Sequence, residues 1–257
     1  MADSRGLLPR LPRSALPGWL VVCDFDGTIA DIDVTDGILS RFALPEWVDI
    51  EVEWKAGAIG SRECMRRQVD LLRVPLAELD AYLDTVEIDP DFGAFVEACH
   101  LMQLPLVIIS DGIDYAIRRI LKRHGLDDLP LASNRLVQIS NSTYRLEFPD
   151  SDPQCRAGSG TCKCAVSSAR AHGSKRLLIG DGSSDFCLAG AADLVFAKTK
   201  LLQHCREGSL PHHACPDFAT ARQLLRELDV PARSPIAVKR TWKAALPPVP
   251  PAAALEI

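Results

Sequence analysis

The stretch Trp19-Leu20-Val21-Val22-Cys23-Asp24-Phe25-Asp26-Gly27-Thr28 decides how this chain is read. An apolar run leads straight into two acids that flank one aromatic residue. Side chains alternate sides along an extended segment, so Asp24 and Asp26 face the same way while Phe25 points back toward a core. Carboxylates side by side repel each other, and the arrangement becomes favourable only when a cation, a shared proton or a reacting group stands between them. The plain alternative is a strand running into a turn with both acids solvated, so the rest of the chain has to supply what the pair needs.

Two further apolar runs end in polar residues. Leu106-Val107-Ile108-Ile109 leads to Ser110-Asp111-Gly112, and Arg176-Leu177-Leu178-Ile179 leads to Gly180-Asp181-Gly182-Ser183-Ser184-Asp185. Short, continuous apolar runs are how strands buried on both faces of a parallel sheet read. Helical spacing follows each: Ile113, Ala116, Ile117, Ile120 and Leu121 before Gly125, then Phe186, Leu188 and Ala189. Alternating strand and helix predicts an α/β fold, a Rossmann-like open parallel sheet whose ligands bind outside the carboxyl ends of the strands. Asp24, Ser110 and Asp181 then converge on one crevice.

Asp-x-Asp-Gly-Thr after a hydrophobic strand resembles the first motif of the haloacid dehalogenase superfamily, most of whose members are phosphatases that form an aspartyl-phosphate intermediate. The resemblance implies that Asp24 is the nucleophile and Asp26 the general acid and base, a role open to a positioned carboxylate. The superfamily's second motif ends a strand in Ser or Thr, which Ser110 fits, as a hydrogen-bond donor to a phosphoryl oxygen. Lys163, opening the helical stretch Lys163 to Ala171, fits the third motif, and Asp181 and Asp185 fit the acidic fourth. Gly27, Thr28, Asp111 and Gly112 then line the phosphate, and glycine lets backbone amides approach it closely.

Charge accounting agrees with these residue types. Asp24, Asp181 and Asp185 bring about three negative charges and a phosphate monoester about two more, which repel one another unless cations intervene. Mg2+ and Lys163 together restore about three positive charges. Magnesium takes oxygen ligands and keeps water; the expected set is Asp24, Asp26 through its carbonyl, Asp181 and Asp185. Lys163 also stabilises charge on the phosphoryl group during transfer.

The segment between the first two motif strands is too long for a simple crossover and carries helical periodicity. Ile38, Phe42, Val48, Val52, Met65, Val69, Leu72, Leu79 and Leu83 form the expected inward face of a small bundle. Its position matches an inserted helical C1 cap, the lid of the superfamily. Asp33, Asp36, Trp54, Lys55, Arg62 and Arg66 are its candidate substrate readers, with Lys55 and Arg62 preferred because an anionic substrate needs cations at the mouth. The expected organisation is an α/β catalytic core over residues 18-31 and 89-230, a cap over 32-88, an N-terminal extension over 1-17 and a Pro/Ala-rich flexible tail over 231-257. Before the tail, Phe218, Ala221, Leu224, Leu225 and Leu228 predict a last amphipathic helix after Pro216.

Leu136 to Ser140 and Thr143 to Phe148 alternate around Asn141-Ser142, which predicts a small β-hairpin. An early helical cap and a late hairpin resemble the phosphoserine phosphatase-like subfamily. The likeness extends to the methionine-salvage phosphatases that act on 2-hydroxy-3-keto-5-methylthiopentenyl-1-phosphate, through Ala43-Leu44-Pro45-Glu46-Trp47, the cysteines before Lys163, and Asp193-Leu194-Val195-Phe196-Ala197-Lys198. Phosphoserine phosphatases grip an amino acid with a Glu and a cap Arg where this chain has Asp33 and Gln68, and Gln68 lacks the charge for a bidentate clamp. Sugar and pyridoxal phosphates stay open as substrates, as does a non-catalytic phosphate-binding role. A receiver domain, which also has an acidic cluster and a Lys, would carry no cap of this length.

Composition bounds the partners. The chain has 257 residues, 47% of them hydrophobic, and a formal net charge of -5. No basic field attracts nucleic acid or an anionic membrane, and no apolar run approaches the roughly 20 residues that span a bilayer. A cytoplasmic protein acting on a small phosphorylated metabolite is the expectation. Nine cysteines cannot all pair within one chain. Cys23, Cys64, Cys99 and Cys187 sit among apolar neighbours as expected buried thiols. Cys155, Cys162 and Cys164 cluster in a Gly-rich stretch, where zinc stands behind a reduced, packed loop because a fourth ligand is not nearby.

Overall fold

The computed structural model describes residues 18–228, so the expected N-terminal extension and tail lie outside the described residues. The strands are β1 (Trp19–Cys23), β2 (Leu106–Ile113), β3 (Leu131–Gln138), β4 (Tyr144–Glu147), β5 (Lys175–Gly180), β6 (Leu194–Ala197) and β7 (His212–Ala214). They form one seven-stranded sheet in the order β4-β3-β2-β1-β5-β6-β7. Every pairing is parallel except β3 with β4. The three motif strands β2, β1 and β5 are therefore neighbours at the centre, where both faces can be covered and a continuous apolar run is stable.

Alternation along each strand divides the core. Val21, Cys23, Ile108, Leu177 and Ile179 pack to one side and Leu20, Val22, Val107, Ile109 and Leu178 to the other. The first side is closed by α5 (Phe92–Leu101), α6 (Asp114–Arg123) and α10 (Phe218–Leu225), with the Phe92 and Phe218 rings 4.8 Å apart. The second is closed by α7 (Lys163–Ala171), α8 (Phe186–Ala189) and α9 (Thr199–Glu207). The last helix starts after Asp217, whose carboxylate accepts the Thr220 N–H as an N-cap. Among the described residues no helix is long and apolar enough to cross a membrane.

Between β1 and α5 stand α1 (Val34–Phe42), α2 (Trp47–Lys55), α3 (Ser61–Val69) and α4 (Leu76–Leu83). The chain leaves and re-enters the core side by side, since Ala30 and Ile88 form an antiparallel bridge and the Asp89 N–H reaches the Ile29 carbonyl at 2.9 Å. Ile38, Met65, Val69, Leu72, Leu79 and Leu83 are buried as expected, and Phe42 is half-buried. Val48 and Val52 are not: they are 49% and 61% exposed. Helical spacing puts those two on one side of α2, and the opposite side, with Trp47, Ile50 and Trp54, offers the larger apolar area to α3. Two indoles outcompete two valines.

The hairpin forms, but its first strand begins at Leu131 and pairs in parallel with β2, so it extends the main sheet instead of standing apart. Its tip meets the helices of the insert: the Val74 N–H bonds the Ser142 carbonyl at 3.0 Å and the Tyr144 hydroxyl bonds the Val74 carbonyl at 3.0 Å.

Candidate active site

Asp24 follows the last residue of β1, and its N–H continues the parallel ladder to the Ile179 carbonyl at 2.9 Å. The residue is 4% exposed at the carboxyl end of the sheet. One carboxylate oxygen accepts the Phe25 N–H at 2.8 Å and the other lies 2.6 Å from the Lys163 ammonium. Phe25 is fully buried, as strand alternation requires. Lys163 is the first residue of α7, and Ser183–Asp185 form a 3-10 turn after β5 that brings Asp185 to the same ammonium at 2.7 Å and Ser184 to it at 3.0 Å.

The second oxygen of Asp185 accepts the Asp181 and Gly182 N–H groups at 3.2 and 3.4 Å. A side chain on Gly180 would collide with it. Asp181 lies across the crevice and takes the Thr28 hydroxyl at 3.0 Å. Gly27 turns the chain there at φ +68°, and any Cβ on it would stand 2.6 Å from the Asp181 carboxylate. Both the backbone angle and the space demand glycine.

Asp26 stands beside this cluster, its carboxylate accepting the Val34 N–H at 2.9 Å where α1 begins. A Cβ on Gly112 would lie 2.5 Å from the other Asp26 oxygen and 3.1 Å from the Ser110 hydroxyl. Ser110 is 1% exposed and accepts the Gly112 N–H at 3.0 Å, leaving its own proton to donate. The expected residues Asp24, Asp26, Gly27, Thr28, Ser110, Gly112, Lys163, Asp181 and Asp185 therefore meet at the ends of β1, β2 and β5.

Burial dominates the electrostatics. It pushes Asp24 up to about 8, helped by the Asp185 charge and opposed by Lys163. It also holds Asp26 well above the ordinary carboxylate range, with Asp33 adding to the shift, and raises Asp181. Burial presses the Lys163 ammonium down, but Asp185 and Asp24 outweigh it and keep it charged. One buried cation thus faces three carboxylates, Asp24, Asp181 and Asp185, whose oxygens lie within 4.8 Å of one another. The excess is negative and every donor is a hard oxygen, which is what a hard divalent cation such as Mg2+ requires. Among the described residues no other group of three or more His, Cys, Asp or Glu side chains comes together in this way.

Other expected residues are placed differently. Lys55 is an exposed residue of α2 whose ammonium is held by Glu51 at 3.2 Å. Arg62 is exposed on α3, and its backbone N–H, not its guanidinium, reaches the core, at the Gly158 carbonyl 2.9 Å away. Arg66 is spent on Glu63 and Asp70. Gln68 is buried and donates to Glu51 at 3.0 Å, and Asp33 caps α1. Asp111 bonds Ser61 of α3, Asn134 of β3 and the Thr161 N–H, so its carboxylate ties the helical insert to the core. Of the expected buried cysteines, Cys187 is exposed, because α8 is a single turn at the surface.

Sequence reasoning assigned nothing to Ser184, Lys198, Ser61, Asn134 or Thr161. Ser184 was visible between the two motif acids. Lys198, whose ammonium meets the Thr28 carbonyl at 3.1 Å, closes the run after the fourth motif. The Ser61–Asp111–Asn134 contact joins three distant segments and has no local signature.

Comparisons with known proteins show what the chain as a whole is similar to. The family model described as haloacid dehalogenase-like hydrolase matches residues 21–190. A 2-hydroxy-3-keto-5-methylthiopentenyl-1-phosphate phosphatase of Geobacillus thermodenitrificans is 32% identical over 216 residues, covering 82% of this chain and 97% of the relative. One of Brevibacillus brevis is 31% identical over 213 residues, covering 81% and 94%. Among solved structures, a phospho-aspartyl intermediate analogue of phosphoserine phosphatase superposes with a TM-score of 0.61 at 20% identity, covering 83% of this chain and all of that one. A phosphoserine phosphatase from T. onnurineus gives 0.60 at 17% identity, covering 82% and 96%. Likeness at that identity speaks to the fold.

Proposed function

We propose a catalytic cycle and a substrate for this chain, which belongs to the haloacid dehalogenase-like hydrolase family and is a phosphoric monoester hydrolase. The observation that carries the cycle is the buried ammonium of Lys163 bridging Asp24 and Asp185 with Asp181 beside them. Asp24 attacks the phosphorus atom, the bond to the ester oxygen breaks, and Asp26 gives that oxygen its proton. Asp26, now a carboxylate, takes a proton from water, whose oxygen attacks the aspartyl phosphate and returns Asp24 with inorganic phosphate. The raised proton affinity of Asp26, caused by burial and then by Asp33, suits a group that must first donate. Ser110 donates its free proton to a phosphoryl oxygen, and Lys163 opposes the burial that raises the proton affinity of Asp24 and balances the incoming charge. Asp24, Asp181, Asp185 and the Asp26 carbonyl would hold Mg2+, which when bound supplies polarisation of the phosphoryl oxygens.

Residues 32-88 act as a cap over this crevice in our reading, hinged where Ala30 and Ile88 pair. For the substrate we favour 2-hydroxy-3-keto-5-methylthiopentenyl-1-phosphate, after the relatives of similar length. Phosphoserine is disfavoured because Gln68 is neutral, buried and already bound to Glu51. The purified protein is to be assayed with Mg2+ against thiopentenyl, seryl, sugar and pyridoxal phosphates. We expect the highest kcat/KM with the first and no turnover of any in Asp24→Asn. A preference for another ester would remove the substrate assignment; no wild-type turnover at all would remove the cycle.

A further inference from the structure

The cation ligands of the proposed cycle come from two loops far apart in the chain: Asp24 and the Asp26 carbonyl from the loop after β1, Asp181 and Asp185 from the loop after β5. Lys163 ties Asp24 to Asp185. Asp181 stands outside that ion pair. What fixes it comes from a third segment, the junction of β6 and α9, which no step of the cycle uses.

β6 lies beside β5, with Ala197 paired to Gly180. The chain then runs on along the same neighbour: the Lys198 N–H reaches the Gly180 carbonyl at 2.9 Å and the Leu201 N–H reaches the Asp181 carbonyl at 2.8 Å. The Thr199 hydroxyl donates to that same Asp181 carbonyl at 2.9 Å. Both lone pairs of this oxygen are taken, so the backbone that carries the carboxylate is pinned from the β6 side.

The β1 side is held by the same dipeptide. Thr28 is fully buried, and its hydroxyl donates to the Asp181 carboxylate at 3.0 Å. The Thr28 carbonyl in turn receives the Lys198 ammonium at 3.1 Å, across 170 positions of sequence. The Lys198 side chain is 10% exposed, and the carboxylate it meets, that of Asp31, is 3.9 Å away and itself 74% exposed. A charge taken this far out of water is costly, and a neutral side chain of the same length would pack at less cost. The ammonium is spent on a carbonyl of the β1 loop.

Thr199 is strained as well. Its φ is +32°, a region that a β-branched residue enters only under constraint. The other non-glycine residues with positive φ among the described residues, Gln103, His172 and Ser209, stand at the ends of α5, α7 and α9, where a left-handed residue is ordinary. Thr199 opens a helix instead. Glycine would adopt this angle without strain, but it has no hydroxyl to reach Asp181.

We propose that Lys198 and Thr199 are positioning residues that clamp the Thr28 loop and the Asp181 loop together and so set the cation site. The clamp serves the reaction through Asp181 as a cation ligand, and so rests on the role proposed for Asp181 above. Neither residue touches the reacting atoms. Without either one the ligands remain present but are free to part, so metal affinity falls while the ligand set is intact.

The test is calorimetric titration of Mg2+ into the full chain without substrate, beside thermal melts in chelator. Lys198→Met should weaken Mg2+ binding at least about tenfold. Thr199→Val should weaken it about fivefold, since one hydrogen bond is lost and Leu201 still holds the carbonyl. Thr199→Ser keeps the hydroxyl and should bind within about twofold of wild type. A merely structural role would lower the chelator melt of Thr199→Val and leave its Kd unmoved. Asp181→Asn is the control. If it loses Mg2+ binding while Lys198→Met and Thr199→Val keep the wild-type Kd, or if Thr199→Ser binds as weakly as Thr199→Val, the clamp is overturned and the ligand reading stands. If Asp181→Asn binds as wild type does, or wild type binds no Mg2+, both fall. Should Lys198→Met fold poorly, the two Thr199 variants decide the matter.

Discussion

The Lys163 ammonium lies 2.6 Å from the Asp24 carboxylate and is 4% exposed, although the two residues are 139 positions apart in the chain. A buried charge is stable only while its partner remains, so this pair ties fold stability to the acidic crevice.

Lys163→Gln leaves Asp24 and Asp185 facing each other without a cation. Unfolding free energy should fall by about 3–5 kcal/mol in chelator. Added Mg2+ should recover part of the loss and no activity. Urea denaturation with and without the metal checks this, and equal losses in both would mean that no cation enters the cluster.

Magnesium should stabilise the wild-type protein by mass action, by about 2.7 kcal/mol at a hundredfold excess over its Kd. Asp181→Asn should abolish that gain, since Asp181 is the acid of the cluster that Lys163 does not contact. Thermal melts across a magnesium titration give the comparison.

Gly112→Ala places a methyl group 2.5 Å from Asp26 and 3.1 Å from Ser110. Misplacing the proton donor by a fraction of an ångström should lower kcat by about a hundredfold. The fold should survive, because the clash is confined to the crevice. Steady-state kinetics beside a circular dichroism melt would separate the two effects.

Ser61→Ala removes the hydroxyl that holds Asp111 from the cap side. One such bond contributes about 1 kcal/mol, so KM should rise roughly fivefold with kcat little changed. An unaltered KM would mean that this contact does not keep the cap closed.

Asp36 is exposed by surface area, yet partial desolvation, then the charges of Asp33 and Glu51, push it up to about 6, with Lys55 opposing. A carboxyl whose folded value lies above its unfolded value binds more protons when folded, so stability falls as pH rises between about 4 and 6. Asp36→Asn should therefore raise the melting temperature more at pH 7 than at pH 4. A constant difference between variant and wild type across that range would show that Asp36 carries no such penalty.

Much of the site was legible because its chemistry is local. Asp24 and Asp26 follow a strand, Asp181 and Asp185 follow another, and Lys163 opens the helix expected from Lys163 to Ala171. Where Lys55 and Arg62 sit was not legible, because charge alone does not say which way a helix faces: Glu51 holds the ammonium of the one, and the other meets the core through its backbone. The exposed Val48 and Val52 were misjudged for the same reason, since a short helix with apolar residues on two sides chooses its buried side by what it packs against.

The sequence by itself determined the sheet, the order of the motifs and the acids, serine and lysine that meet in one crevice, because strand burial and carboxylate chemistry are written in neighbouring residues. Only the tertiary structure decided that one ammonium serves both Asp24 and Asp185, and that Asp111 joins the helical insert to the core through Ser61, Asn134 and Thr161. Those relations join residues far apart in the chain, and their energy depends on distance and burial, which exist only once the chain has folded.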